Sequence, residues 1–531
     1  MAQLKRKQTP IDLNEQFRLA LDVIEHTAKS VFITGRAGTG KSTLLTYFRG
    51  TTRKKVAMLA PTGVAALNIK GQTIHSFFGF KPNISADKVK KLRSTGEGQN
   101  IYKKLDAIVI DEISMVRADL LDCVDSFLRL NGPSSAKPFG GIQMIFIGDL
   151  YQLSPVVTSS ERVLFSSVYD SPYFYSAKVF DSMNLEFVEL EKVYRQKDEQ
   201  FLGLLNTIRN RSIAPDGLAL LNTRCQPGFE APTGQHYISL TTTNDLANEV
   251  NNRRLAALHG PLQAYAASIE GDFGKEYLPT AIELPVKRGA QVMLLNNDSL
   301  GRWVNGSIGE ISGIERASEG PDVIKVKLAD GEEVEVTPFT WEIFRFSVKD
   351  KQLQSDAIGK FTQYPLMLAW AVTIHKSQGK TFDRVIIDFG RGTFAHGQAY
   401  VALSRCTTLN GIVLRRPIRQ QDILMDFNVV RFLTKYQYQK AAESLTQDDK
   451  VGLIRKAIKD KAALGIVYLK PNDEKSRRVI MPQAMGEMEY QGKTYLGLRA
   501  FCLLRREDRT FRIDRILEIK PANGIPHSSM T

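Results

Sequence analysis

Cysteine is scarce in this 531-residue chain. The four present, Cys123, Cys225, Cys406 and Cys502, are scattered, and no Cys-x-x-Cys pair occurs, which argues against a structural zinc site or a disulfide framework. Long hydrophobic runs are lacking too. No stretch of about eighteen apolar residues exists, so no membrane-spanning helix is expected. The opening MAQLKRKQTPIDLNEQ has no apolar segment behind its basic residues and does not read as a secretory signal, so a cytoplasmic location is expected. Acidic residues fall short of basic ones, 57 against 71, for a net charge of +14. An excess of that sign favours polyanionic partners such as nucleic acid. The last 81 residues, from Val451, hold 16 Lys and Arg against 9 Asp and Glu, which is half of the surplus. The remaining composition, 43% hydrophobic and 24% charged, is that of a globular protein, and the length predicts about three or four domains.

The most specific motif is GRAGTGKS. Its spacing, Gly-x4-Gly-Lys-Ser, places Gly35, Gly38, Thr39, Gly40, Lys41 and Ser42 between an apolar strand, SVFIT, and a helical segment, STLLTYFRG. Glycines let such a loop curl with its N–H groups inward around phosphate, at a helix N-terminus whose dipole favours anions. Lys41 is expected to reach the β- and γ-phosphates and Ser42 to ligate Mg2+. Seventy residues on, LDAIVIDEISMV ends an apolar strand in Asp111 and Glu112. Asp111 is expected to hold Mg2+ and Glu112 to orient the attacking water as a general base. No Asn-Lys-x-Asp base reader is present, so ATP is favoured over GTP. A second apolar strand, QMIFIG, leads to Gln152, a candidate sensor of the γ-phosphate. Arg195 in LEKVYRQ is a candidate arginine finger, expected from a second domain.

In this order the motifs resemble those of superfamily 1 DNA helicases of the Pif-one type, with the RecD and Dda enzymes as relatives. LNEQFRLALDVI resembles the adenine-reading segment, with Gln16 as the base contact. APTGVAALNIKGQTIHSFFG, LTTTNDLANEVNNRRL, LAWAVTIHKSQGKTFDRVIIDFG and GQAYVALSRCTTLNGIVL follow the family's series over roughly residues 10 to 430. QLSPV carries Ser154 where the family usually has proline, with a small expected effect on loop stiffness. The resemblance implies that Arg405 is a second phosphate-contacting arginine and that Gln378 links nucleotide to strand. It also implies two RecA-like lobes closing on ATP, and 5′→3′ translocation on single-stranded DNA.

A translocase must grip its strand without reading sequence, through phosphate contacts and base stacking. Thr62, His75 and Phe77 in the first lobe, and Thr243, Asn244, His375 and Lys376 in the second, occupy the corresponding motifs. The core alternative is stronger for Phe78, and for His75 a structural role weighs equally.

The expected fold is α/β: two RecA-like parallel-sheet motor domains carrying a small wedge and an SH3-like barrel, plus a small β-rich C-terminal domain. The expected bounds are 1–180 for the first lobe with its wedge at 81–104, and 181–435 for the second with its barrel at 284–362. A polar linker at 436–450 and a last domain at 451–531 complete the chain. The segment 451–531, with TYLGLRAFC and RTFRIDRI, resembles a WYL domain in which Thr494 replaces the usual tryptophan. Arg478, Arg499, Arg512, Arg515 and Tyr495 are expected to line one basic face, for single-stranded DNA or a nucleotide-like anion. A regular strand would send Arg512 and Arg515 to opposite sides, so a bend is needed.

The partners expected are single-stranded DNA and forked or tailed duplexes, acted on by a monomer. Two alternatives stay open at this point. One is a WYL-type nucleic-acid-binding regulator whose DNA-stimulated ATPase is a switch without unwinding. The other is an RNA-directed or recombination-associated translocase.

Overall fold

The computed structural model describes residues 13–81, 84–92, 100–158, 161–196, 198–232, 234–349, 352–390, 392–471, 473–490 and 492–522. The chain divides into two units, one of Met1–Arg209 with Ile213–Leu424 and one of Asn210–Ser212 with Met425–Thr531.

The larger unit holds both lobes. In the first, six strands lie in the order Gln72–Thr73, Val56–Ala60, Ala107–Ile110, Gln143–Gly148, Ser30–Gly35, Leu185–Leu190, every pair parallel. Covered on both faces, such strands read as unbroken apolar runs, as AIVI and QMIFIG do. Val31, Ile33, Val109, Ile145 and Ile147 form one core with Leu44 and Phe48 of helix Lys41–Thr51. This sheet corrects the expected boundary at residue 180. Strand Leu185–Leu190 pairs along its whole length with Ser30–Gly35, so the first lobe continues past it.

Of the wedge, residues 82–83 and 93–99 lie outside the described residues. The rest packs on helix Ala118–Asn131: Leu92 N–H donates to Asn131 Oδ1 at 2.8 Å and Asn100 Nδ2 to the Asn131 carbonyl at 2.8 Å.

The second lobe is a parallel four-stranded sheet in the order Ala371–Thr373, Ile238–Thr241, Val385–Ile387, Ile412–Leu414. Between its first two strands in sequence the chain leaves to build an antiparallel five-stranded sheet, from Gln291–Leu294 to Leu366–Leu368, around Val292, Leu294, Ile311, Ile324 and Val326. Trp303 and Trp341 are buried, which favours core roles. The insertion exceeds the expected 284–362. Gln263–Ala266 pairs with Glu283–Val286, Ser268–Gly271 with the hairpin strand Gln352–Gln363, and Leu366–Leu368 with Gln291–Leu294.

In the smaller unit the expected linker is not a linker. Apart from Leu445 and Thr446 between them, residues 436–450 belong to two helices, Phe427–Ser444 and Gln447–Lys459. The polar QDDK is a helix start: Thr446 Oγ1 accepts from Asp449 N–H while the Asp449 carboxylate accepts from Thr446 N–H, a capping box. The second helix places Ile454 and Ala457 on a five-stranded antiparallel sheet that runs from Glu507–Arg512 to Ile516–Pro521.

Candidate functional site

Open parallel sheets bind ligands beyond the carboxyl ends of their strands, and there the phosphate loop lies. Gly38 and Gly40 have φ of 82° and 87°, the left-handed region. A Cβ at Gly38 would strike Arg195, and one at Gly40 the Phe17 ring. Residues Gly38–Thr43 line a cavity of about 560 Å³ with Phe17, Glu112, Gln152 and Arg195, while Gly379, Thr381 and Arg405 supply the wall from the second lobe. Both lobes therefore build one site.

Its electrostatics follow from burial. Lys41 Nζ donates to the carbonyls of Gly35 at 2.7 Å and Arg36 at 3.0 Å. Burial lowers its pKa, while Asp149, Glu112 and Asp111 pull the other way. Burial, then the neighbouring Asp111, raise the Glu112 carboxyl to about 7. Burial also raises Asp111, whose Oδ1 accepts from Glu112 N–H at 2.9 Å. Glu112 itself sits at φ 49°, rare for a side-chain-bearing residue. Arg405 is 1% exposed, and burial followed by the nearby Arg195 brings its pKa down to about 9. Three cations facing one cavity, the buried Arg405 and the half-buried Lys41 and Arg195, fit a multiply charged anion such as a nucleotide's phosphate chain. The Ser42 hydroxyl lines that cavity and the Asp111 carboxylate lies beside Lys41, so the donors fit Mg2+.

Arg195 corrects the sequence expectation of a second-domain finger. It follows strand Leu185–Leu190 of the first lobe, held there by Tyr194 N–H donating to the Gly38 carbonyl at 2.8 Å. Its guanidinium reaches across to the carbonyls of Ser404 and Gly379, each at 3.5 Å. Gln152 is buried, its amide donating to Asp149 at 3.2 Å. Gln378 Nε2 donates to Glu112 Oε2 at 2.9 Å. Gln16 is half-buried, and its neighbour Phe17 is the one that lines the cavity.

Of the strand candidates, Thr62 and Thr243 are exposed N-caps of helices Gly63–Asn68 and Asn244–Ala257, and Asn244 and Lys376 are exposed. His75 and His375 are half-buried, and burial lowers the His375 pKa. Phe77 does not fit a stacking role. It is 5% exposed, packed edge-on against Phe78 and Tyr102, because its helix turns that face inward.

The single basic face expected of the last unit also needs correction. Strand alternation puts Tyr495 and Arg499 opposite the buried Leu498 and Ala500. Arg478, paired with Ile466, lies on the helix-covered side, its guanidinium against Ser476 Oγ and Cys502 Sγ. Arg512 pairs with Asp514 at 2.6 Å and lies over the Tyr495 ring. Arg515 ends a 3-10 turn, which supplies the bend. A separate cleft of about 1390 Å³ is rimmed by Lys461, Arg477, Arg506 and Lys520 over Val467, Val479, Met481 and Phe501.

Three functional residues were not found from sequence. Asp149, fully buried, holds Gln152 and pairs with Arg209 at 3.6 Å. Tyr400 Oη accepts from Ala37 N–H of the phosphate loop at 2.9 Å, joining the lobes. Gly397, at φ 75°, lies so close to the first lobe that a Cβ would overlap the carbonyls of Tyr151 and Gln152. Asp149 follows an apolar strand as Asp111 does, and Tyr400 lies five residues before Arg405; those were the available signals.

Two parallel-sheet lobes sharing a phosphate-loop cleft, with arginines entering from both sides, define a two-lobed P-loop nucleotide-binding protein. Residues 12–216 match the family model for PIF1-like helicases, and 449–521 that for the WYL domain. The ATP-dependent DNA helicase Pif1 of Bdellovibrio bacteriovorus is 31% identical over 441 residues, covering 80% of this chain and 93% of its own. The chain belongs to the PIF1-like helicase family and carries a WYL domain. The human relative, ATP-dependent DNA helicase PIF1, is 35% identical over 395 residues, and the match spans 58% of its length; for the Emericella nidulans relative the share is 60%. Among solved structures, unliganded Pif1 from Bacteroides sp has a TM-score of 0.73 at 37% identity, covering 80% of this chain and 97% of its own. The same protein with ADP-AlF4 gives 0.74, and bound to single-stranded DNA 0.59, each covering 81% of this chain and 98% of its own. Among the described residues, no helix is long and apolar enough to cross a membrane.

Proposed function

We propose that this protein is an ATP-dependent DNA helicase that translocates 5′→3′ on single-stranded DNA as a monomer and unwinds tailed or forked duplex. The observation that carries this reading is the shared cleft, where Lys41, Arg195 and Arg405 converge from two lobes on one cavity. ATP bound there would tie the lobes together through its γ-phosphate, and loss of that phosphate would release them. Ser42 and Asp111 would hold Mg2+, which supplies charge neutralisation at the phosphates. Glu112, its carboxyl near neutrality, is the residue suited to orient and deprotonate water. Thr62, His75, Thr243, Asn244, His375 and Lys376 are the proposed strand contacts.

The WYL domain is proposed to add a site for single-stranded DNA. Its cleft supports this: four cations rim an apolar floor with one aromatic, Phe501, and a single rim carboxylate, Glu518. Arg499, Arg512 and Tyr495 share the outward face of that sheet. Unwinding of 5′-tailed and 3′-tailed duplexes with ATP and Mg2+ tests the motor. Activity confined to the 3′-tailed substrate would refute the polarity, and strand-stimulated hydrolysis without unwinding would leave a switch. The double variant Arg477→Ala, Lys520→Ala should flatten the salt dependence of strand affinity by about two phosphate contacts.

A further inference from the structure

One turn, Thr373–Lys380, touches three of the charges of the cleft, Glu112, Arg195 and Arg405. On its outer side stand the half-buried His375 and the exposed Lys376, the proposed strand contacts. On its inner side the Gln378 amide donates to Glu112 Oε2 at 2.9 Å. The carbonyls of Ser377 and Lys380 accept from Arg405 Nη1 at 3.4 and 3.3 Å, and that of Gly379 from Arg195 Nη2 at 3.5 Å. The turn is internally stiff: Gln378 N–H donates to the His375 carbonyl at 3.1 Å, Lys376 N–H to Thr373 Oγ1 at 3.2 Å, and Ser377 Oγ to the Ile374 carbonyl at 2.7 Å. A push on His375 or Lys376 therefore moves Gln378.

These contacts engage groups that hydrolysis uses. The Gln378 amide fixes one Glu112 oxygen, and Arg195 and Arg405 spend some of their donors on carbonyls of the turn.

We propose that Gln378 is a positioning residue that restrains Glu112 while no strand is bound, so that the turn acts as a brake on ATP turnover until a strand displaces it. This rests on the helicase reading above, and it concerns turnover without strand, which that reading leaves open.

The test is steady-state ATP turnover by the full chain carrying Gln378→Met, which keeps side-chain size and removes the donor, and Gln378→Leu, which removes the donor with a shorter apolar side chain. Each is assayed with and without oligothymidylate. Losing a hydrogen bond to a charged group is expected to raise strand-free kcat about tenfold in both variants, with KM for ATP unchanged. Strand-stimulated kcat should change less than about threefold, so the stimulation ratio collapses. Unchanged strand-free turnover, or a parallel fall with and without strand, overturns the brake. If one variant fails to fold, the other decides by the same criteria. Absence of strand stimulation in the unmodified protein would instead count against the helicase reading.

Discussion

Tyr400→Phe should slow this protein by an amount its geometry sets. The variant removes one oxygen, the acceptor for Ala37 N–H at 2.9 Å, and otherwise keeps a ring that is 4% exposed. Ala37 is itself 6% exposed, so no water replaces the lost partner while the lobes are closed. When they part, that N–H reaches water. The penalty therefore falls on the closed arrangement, the one that presents Arg405 to phosphate. A buried donor left unsatisfied costs about 1–3 kcal/mol, which at about 1.4 kcal/mol per decade is a loss of about 5- to 150-fold in kcat/KM. Strand-stimulated ATP turnover across a range of ATP concentrations measures it, with thermal unfolding as a control. A kcat/KM within about twofold of the unmodified protein would show that the tie does not hold the cleft closed.

Lys41→Ala and Arg405→Ala should each abolish detectable unwinding while single-strand affinity, read by fluorescence anisotropy, persists; residual unwinding in either contradicts the assigned roles. Gly397→Ala should cut ATP turnover by about 100-fold, because its new methyl forces the lobes apart at Tyr151 and Gln152, and a wild-type rate would show that the contact is dispensable. Arg209→Met strands the buried Asp149 carboxylate and should cost about 3–5 kcal/mol in urea unfolding. A loss below about 1 kcal/mol would mean that other groups hold that charge.

The phosphate loop, Asp111 and Glu112 were legible because their chemistry is local: strand, glycines and helix start are neighbours in sequence. Arg195 was legible as a residue and misread in origin, since only the pairing of Leu185–Leu190 with Ser30–Gly35 reveals its lobe. Tyr400 and Gly397 act through contacts with residues more than 200 positions away, which periodicity does not encode. The QDDK segment looked like linker because acidic residues mark both loops and helix starts, and the capping box distinguishes the two. Phe77 shared its motif with candidate strand contacts, and only the ring packing around Tyr102 assigns it to the interior.

Gly397 and Tyr400 stand on one turn of one short helix, and neither of their contacts needs a nucleotide. The two halves of the machine are thus seamed beside the phosphate loop. On the proposed motor reading, departure of the terminal phosphate would loosen that seam at Ala37 and let the lobes swing, with travel that grows with distance from it. Grip points far from the helix at Gln398–Leu403 would sweep the longest arc, so the length of each proposed stride would be governed by leverage as much as by chemistry.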